Sequence, residues 1–168
     1  MPKYRSQPPF PGFDPAAPGG NQPVLGWREW VALPEFSIAG IKAKIDTGAR
    51  SSALHTHHYE LFDRHGQPWV RFVVHPLRRT IRFERECETP VLEFRTVKDS
   101  GGHMETRPFI ETTAVLGACR WVVRLSLTNR ESMLFRMLLG RSALTGLFLV
   151  DPAQSYLLGN RPTRSRGF

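Results

Sequence analysis

Residues 44–54 read KIDTGARSSAL, and this stretch decides the fold. It overlaps the end of the run 38–45, which reads IAGIKAKI and whose β-branched isoleucines favour a half-buried strand. Gly48 allows a sharp turn, and the small residues after it leave room for another backbone to come close. The stretch therefore predicts a strand that carries Asp46 at its end, followed by a tight loop.

A second motif follows about ninety residues later, where residues 136–144 read RMLLGRSAL. An apolar strand here ends in a glycine and an arginine, and the residues after them favour a short helix. Asp-Thr-Gly alone is common turn chemistry, so the presence of both motifs is what indicates a function. Between them, residues 97–105 contain the pair Gly101-Gly102, whose backbone freedom suits a hairpin tip.

The two motifs and the glycine-rich stretch resemble those of the retropepsins, single-domain aspartic proteases that work as homodimers. More closely, the chain is similar to one bacterial retropepsin-like family whose members are often labelled ATP-dependent zinc proteases. Some members are similar to proteins encoded beside glutamate ligases that modify a ribosomal protein. The similar blocks are residues 26–30, 41–50, 100–103, 127–130 and 137–141.

The resemblance implies an all-β fold, a closed acid-protease barrel with one short C-terminal helix and a flap hairpin. It also implies that Asp46 is catalytic and shares a proton with Asp46 of a second subunit, because two carboxylates about 3 Å apart cannot both ionise. Since the chain has one Asp-Thr-Gly, this mechanism requires a homodimer. It implies no metal and no cofactor, and its substrate is a peptide or protein.

Other residues take supporting roles by the same resemblance. Thr47 would bridge the two subunits, and Gly48 would offer its carbonyl to the substrate backbone. Gly101 and Gly102 would let the flap close over an extended peptide and exclude water. The remaining residues would line or support the Asp loop, and they are Ala49, Leu138, Leu139, Gly140 and Arg141.

The sequence departs from the retroviral pattern on both sides of Asp46. Arg50 stands where retroviral enzymes usually have an aspartate that pairs with the second motif's arginine. Arg141 therefore needs another acceptor, for which Asp151 is a candidate. Lys44 replaces a residue that is usually apolar and lines a substrate pocket. We hypothesise that Lys44 and Arg50 line the cleft for an acidic peptide rich in Glu or Asp; the alternative is a solvated strand edge.

The composition is that of a soluble globular protein, with 40% hydrophobic and 23% charged residues among 168. The net charge of +8 favours an anionic partner. No apolar run approaches the ~20 residues of a membrane helix, and no secretory signal is visible. Cys87 and Cys119 have neither metal-type spacing nor the density of a disulfide scaffold, which predicts buried thiols in a cytoplasmic protein.

The chain is divided by composition into a Pro/Gly-rich, disordered segment (1–23), a retropepsin-like domain (24–159) and a basic tail (160–168). A helix is predicted over 142–147 and an exposed hairpin edge over 78–88. Strands are predicted over 27–33, 38–45, 59–62, 69–75, 91–97, 105–112, 113–116, 121–127, 135–139, 148–150 and 156–158.

Two other functions remain open. A zinc-dependent peptidase would draw ligands from His55, His57, His58, His75, His103 and Cys87, but no His-Glu-x-x-His motif is present. Neighbouring histidines on a strand also point to opposite faces. The second alternative is a non-catalytic basic β-barrel that binds protein or RNA through its cations and aromatic residues.

Overall fold

The computed structural model describes residues 11–12, 21–77, 84–98, 101–129 and 134–161. Within them lie twelve strands, one short helix and a 3₁₀ turn at Pro34–Phe36, so the predicted all-β class is confirmed. The elements are β1 (Val24–Gly26), β2 (Arg28–Leu33), β3 (Ile38–Asp46), β4 (Ser52–His55), β5 (Tyr59–Arg64), β6 (Gln67–Val74), β7 (Arg85–Pro90), β8 (Glu93–Lys98), β9 (Met104–Leu116), β10 (Cys119–Thr128), β11 (Met137–Gly140), α1 (Arg141–Leu144) and β12 (Leu149–Asp151).

Six strands pair in a ring. Their order is β10-β4-β11-β3-β2-β9, and β9 pairs with β10 to close it, with β8 added on the outer side of β9. The closure is uneven, since β9 and β10 pair over eight positions whereas β2 meets β9 only at Ala32 and Val115. β11 runs parallel to β3 and antiparallel to β4. The first and second motifs are thereby placed side by side.

The interior of the ring is apolar. Along β3, Ile41, Ala43 and Ile45 are buried, whereas Lys42 is exposed and Lys44 is half-buried. This period of two confirms the half-buried strand that the isoleucines predicted. Burying each large aliphatic side chain contributes about 1.5–3 kcal/mol, so alternation fixes which face of β3 turns outward.

Strands β5, β6 and β7 form a separate antiparallel sheet. Its inner face carries Val70, Phe72 and Val74, which join the main core. Its outer face carries arginines and glutamates that pair with one another, and we call it the arginine–glutamate face (Glu60, Arg64, Arg71, Glu86, Glu88).

Three predicted elements differ most from the structure. β9 is one strand, not two, because it pairs with β8 at one end and with β10 at the other. The helix ends at Leu144 instead of residue 147, just before Gly146 adopts φ +79°. Residues 156–158 are not a strand, since Tyr156 has φ +56° and the buried carboxylate of Glu29 takes the N–H groups of the next three residues.

Other expectations concern residues outside the described part of the chain. They include most of the segment 1–23, the end of the tail 160–168, and residues 78–83 of the predicted hairpin edge. Beyond that gap, β7 confirms a strand in the second half of the predicted edge. The pair β1–β12, in which Val24 lies opposite Leu149, includes a short strand that the sequence did not indicate.

Candidate active site

Asp46 is the last residue of β3 and lies opposite Gly140 in the parallel β3–β11 pair. Leu139, fully buried, lies opposite Ile45 one step earlier. Because the two strands run in the same direction, both end at the same edge of the ring, where the Asp46 loop and α1 begin. The structure therefore brings together the two motifs that the sequence singled out.

The loop after Asp46 is held by backbone hydrogen bonds. The Ala49 N–H donates to the Asp46 carbonyl at 3.2 Å, and the Ala49 carbonyl accepts the Arg141 N–H at 2.8 Å. The Arg50 carbonyl accepts the Ser142 N–H at 3.0 Å. Since α1 begins without a side-chain cap, the loop supplies acceptors for its first N–H groups.

Gly140 permits this close packing. A Cβ at this position would lie 2.5 Å from the Ser51 carbonyl oxygen and 3.0 Å from that of Ala49. Its N–H donates to the hydroxyl of buried Ser52 at 3.0 Å, and Ser126 in turn donates to the Ser52 carbonyl. A side chain at residue 140 would therefore displace the loop that follows Asp46.

Arg141 donates from Nη1 to the Thr47 carbonyl at 2.9 Å. The candidate acceptor Asp151 instead accepts the Ala153 N–H, and among the ion pairs of the described residues none joins it to Arg141. The expectation of an Arg141–Asp151 pair is therefore wrong. A backbone carbonyl serves because the sequence offers no acidic side chain in the loop itself.

The Asp46 carboxylate is partly open to solvent, with 25% of the side chain exposed. Its Oδ2 lies 3.6 Å from Lys44 Nζ, and a Cβ added at Gly48 would approach Oδ1 to 3.4 Å. Thr47, Gly48 and Arg50 are exposed, and Ala49 is half-buried. A carboxylate that is open to solvent in this way can accept a proton from a water molecule.

Lys44 belongs to a row of cations on the outward side of the ring. In the β2–β3 register, Arg28 lies opposite Lys44 and Trp30 lies opposite Lys42. Because residues two apart share a face, these side chains lie on the same side of the sheet as Asp46. We call Arg28, Lys42 and Lys44 the basic face.

The predicted flap hairpin is formed by β8 and β9, whose last pair is Lys98 with Met104. Gly101 and Gly102 are exposed near its tip, and Gly102 has φ +86°, which favours glycine. Their movement toward Asp46 remains a prediction.

Three histidines come together elsewhere. The rings of His55 and His57 lie 5.1 Å apart, and those of His57 and His75 lie 4.2 Å apart. Burial, then the charges of Arg136, His57 and His75, lowers the pKa of His55 to about 4. In the described part of the chain, no group of three or more His, Cys, Asp or Glu is arranged to hold a metal ion.

The two cysteines are free and buried, as the sequence predicted. Burial raises the pKa of the Cys87 thiol to about 11 and also raises that of Cys119. A thiol that stays protonated at neutral pH is a poor nucleophile. Neither cysteine is therefore suited to peptide hydrolysis.

Sequence reasoning missed Ser52, Arg28, Lys42 and Tyr156 as parts of the site and its surroundings. Lys42 could have been predicted, because it lies two residues before Lys44 and residues two apart on a strand share a face. Arg28 lies opposite Lys44 only through the β2–β3 register, and Tyr156 reaches the basic face only through the fold of the C-terminal segment.

Known proteins give this arrangement a family. The sequence profile described as "Retropepsin-like aspartic endopeptidase RimB" matches residues 24–161. The chain belongs to the RimB-like family. The expected retropepsin-like membership is thus confirmed. A solved Legionella pneumophila protein of unknown function resembles the RimB-like chain with a TM-score of 0.67 at 29% identity, over 80% of this chain and 97% of that one.

Curated relatives of the RimB-like chain are longer. Proteins named "Probable alpha-L-glutamate ligase" are 42% identical over 141 residues in Shewanella halifaxensis and 43% identical over 137 residues in Parasynechococcus marenigrum. The matches cover 84% and 82% of this chain but 31% and 29% of those proteins. The chain therefore spans about a third of the length of the curated relatives it matches. The part of the chain that the structure describes contains no candidate membrane-spanning helix.

Proposed function

We propose that the chain is one subunit of a homodimeric aspartic endopeptidase in which each subunit supplies one Asp46. The observation that carries this proposal is the position of Asp46, at the end of β3 in a loop fastened to Gly140, Arg141 and Ser142. A fixed loop holds a reacting carboxylate in one geometry, as catalysis requires. Membership of a family described as aspartic endopeptidases supports the same chemistry.

In the proposed reaction, the two Asp46 carboxyls share one proton. The ionised carboxyl removes a proton from water, and the protonated one donates its proton to the carbonyl oxygen of the scissile peptide bond. Thr47 lies beside the subunit contact, and Gly48 presents its carbonyl to the substrate backbone. The β8–β9 hairpin closes over the bound peptide and excludes water.

The substrate we propose is an acidic peptide or protein segment in the cytoplasm. Lys44 Nζ lies 3.6 Å from Asp46 Oδ2, and exposed Arg50 follows in the loop after Asp46, so the proposed cleft carries two cations. The net charge of +8 favours an anionic partner. Relatives named as glutamate ligases are consistent with a glutamate-rich substrate. A glutamate-modified ribosomal protein, implied by the sequence resemblance, belongs to this class.

The decisive experiment compares wild-type protein with Asp46→Asn on acidic and neutral peptide pools. We expect hydrolysis to fall by about a thousandfold or more, because the amide can neither share nor accept the proton. Asp63→Asn is the matched control, since that carboxylate is exposed and accepts the N–H of Gly66 in a hairpin turn. Hydrolysis that survives Asp46→Asn but stops with a chelator would support the zinc alternative instead.

A dyad shared between two subunits also predicts how activity depends on the fraction of wild-type subunits. In dimers assembled randomly from wild-type and Asp46→Asn subunits, activity should fall with the square of the wild-type fraction. A linear fall would mean that each subunit works alone, and the dimeric mechanism would then be rejected. Light scattering on the same mixtures measures the oligomeric state.

A further inference from the structure

The basic face continues the positive charge of Lys44 along β3 and across to β2. Arg28 lies opposite Lys44, and Lys42 lies two residues before Lys44 on the same strand. Directly opposed side chains have Cβ atoms about 4.5–5.5 Å apart, and successive side chains on one strand face are about 7 Å apart. The latter spacing also separates alternate side chains of an extended peptide. The row can therefore meet several carboxylates of one bound segment.

Arg28 is held between two aromatic rings. Its guanidinium carbon lies 4.5 Å from the centre of the Trp27 ring and 5.0 Å from that of Tyr156. Its Nε donates to the Ser155 hydroxyl at 3.2 Å. A guanidinium fixed in this way loses less freedom when it binds a carboxylate through its Nη groups.

Tyr156 is placed by an uncommon backbone conformation. Its φ of +56° lies in the left-handed region, which is unfavourable for a residue other than glycine. Its N–H donates to the Arg28 carbonyl at 2.9 Å, and the Glu29 carboxylate accepts the N–H groups of residues 157–159. Strain that surrounding contacts maintain is often found at binding sites.

Within the described part of the chain, Asp46 is the one carboxylate that pairs with a cation of this row. Among the ion pairs of the described residues, none includes Arg28 or Lys42. Lys42 Nζ lies 5.4 Å from the Trp30 ring and 5.8 Å from Tyr156, so aromatic faces are its neighbours. Uncompensated cations on a rigid face favour an anionic ligand.

A peptide carboxylate fits this face better than nucleic acid does. Single-stranded nucleic acid gains much of its affinity by stacking bases on open aromatic rings. Here Arg28 covers Trp27, while Tyr156 has Arg28, Lys42 and the stacked ring of Trp30 around it. The rings therefore serve to hold the cations.

We propose that Arg28, clamped by Trp27 and Tyr156, together with Lys42 forms a specificity site for carboxylate side chains of the substrate next to the cleavage position at Asp46. This inference rests on the proposed peptidase function, whose cleft it extends. The site would bind segments with several acidic residues more tightly than segments with one, because Arg28 and Lys42 can bind carboxylates in addition to the one that Lys44 binds.

Binding by the full chain carrying Asp46→Asn tests the site without cleavage. The probes are a labelled glutamate-rich peptide and its glutamine counterpart, measured by fluorescence anisotropy. We expect Arg28→Gln to weaken binding of the glutamate peptide by about tenfold, Lys42→Gln by about threefold, and neither to change binding of the glutamine peptide. Arg28→Lys should be intermediate, since it keeps the charge but loses the planar fork.

Arg120→Gln is the matched control, because it removes an exposed cation from β10. Equal losses for both peptides, no loss with Arg28→Gln, or a labelled RNA oligonucleotide that binds more tightly and depends on the same residues would each overturn the proposal. Hydrolysis measured separately distinguishes the two proposals. A chain that binds through Arg28 without cleaving refutes only the peptidase, and one that cleaves acidic peptides equally well with Arg28→Gln refutes only this site.

Discussion

The basic face beside Asp46 and the arginine–glutamate face of the β5–β7 sheet both contain arginines that lie over aromatic rings. The two faces differ in how many carboxylates lie beside these cations. In both, a guanidinium lies over an aromatic ring, at 4.1 Å for Arg64 over Trp69 and at 4.5 Å for Arg28 over Trp27. On the arginine–glutamate face, Glu88 accepts hydrogen bonds from both Arg64 and Arg71. On the basic face, the one carboxylate paired with a cation among the described residues is Asp46.

On the arginine–glutamate face the cations are paired with carboxylates, whereas on the basic face the cations outnumber the neighbouring carboxylate. Hydrogen bonds from Arg64 and Arg71 hold the pKa of Glu88 below its usual value, so the arginines of this face are paired within the chain. A face that keeps excess cations bears their mutual repulsion in the absence of a partner. A face of this kind beside the Asp46 loop favours the anionic substrate that we propose.

We expect the largest effect on stability from a change at Glu29, which holds the C-terminal segment against the basic face. Glu29 is fully buried, and its carboxylate accepts N–H groups from Gly26, Leu157, Leu158 and Gly159. Glu29→Gln leaves one acceptor oxygen and turns an NH₂ group toward donors, so we expect a loss of about 3 kcal/mol in the free energy of unfolding. Urea denaturation measures this loss.

The control for Glu29→Gln is Glu88→Gln on the arginine–glutamate face. Glu88→Gln removes a paired carboxylate that is partly open to water, where such pairs contribute little, so its urea midpoint should shift far less. Glu29→Gln should also weaken binding of the glutamate-rich peptide, because Tyr156 would lose its fixed position. Equal shifts in the two variants would remove the distinction between the faces.

The second effect concerns selectivity. Reversing both charges with Lys44→Glu and Arg50→Glu should lower the preference for acidic over neutral peptides by about a hundredfold, because each reversal places like charges together. The preference is measured as a ratio of kcat/KM values. Arg120→Glu, also an exposed charge reversal, should leave this ratio unchanged. A preference that survives the double reversal would show that Lys44 and Arg50 are only a solvated edge.

How far the sequence predicts this site depends on how local each contact is. Asp46, Gly140 and the alternation of β3 are visible because a turn, a close approach and a buried face each demand particular residue types nearby. The acceptor of Arg141 was not visible, because a backbone carbonyl carries no side-chain signal. Asp151 offered the right charge, but it accepts a hydrogen bond from its own turn.

Contacts between distant segments were the hardest to predict. Tyr156 lies in a run of apolar and aromatic residues that favours a strand, yet the buried Glu29 carboxylate overrides that local preference. The histidine cluster needs β4 and β6 to come together, since His75 is twenty residues from His55. Spacing on one strand could have paired His55 with His57 only.

The third and smallest effect is a pH dependence that tests whether either charged face governs acid stability. The unfolded imidazole of His55 takes up a proton near its ordinary pKa of 6.5, whereas the folded one does so only near 4. Between these values the unfolded chain binds more protons, so stability should fall by about 2 kcal/mol as the pH drops from 6.5 to 4. Denaturation at several pH values measures the slope.

The competing cause of acid instability is loss of the Glu88 pairs, whose contribution also disappears as that carboxylate is protonated. His55→Gln should flatten the slope between pH 6.5 and 4 whatever its effect on stability at neutral pH, while exposed His58→Gln should not. If Glu88→Gln flattens the slope and His55→Gln does not, the arginine–glutamate face controls acid stability. The expected result assigns the acid sensitivity to the buried imidazole of His55 and not to the ion pairs of the arginine–glutamate face.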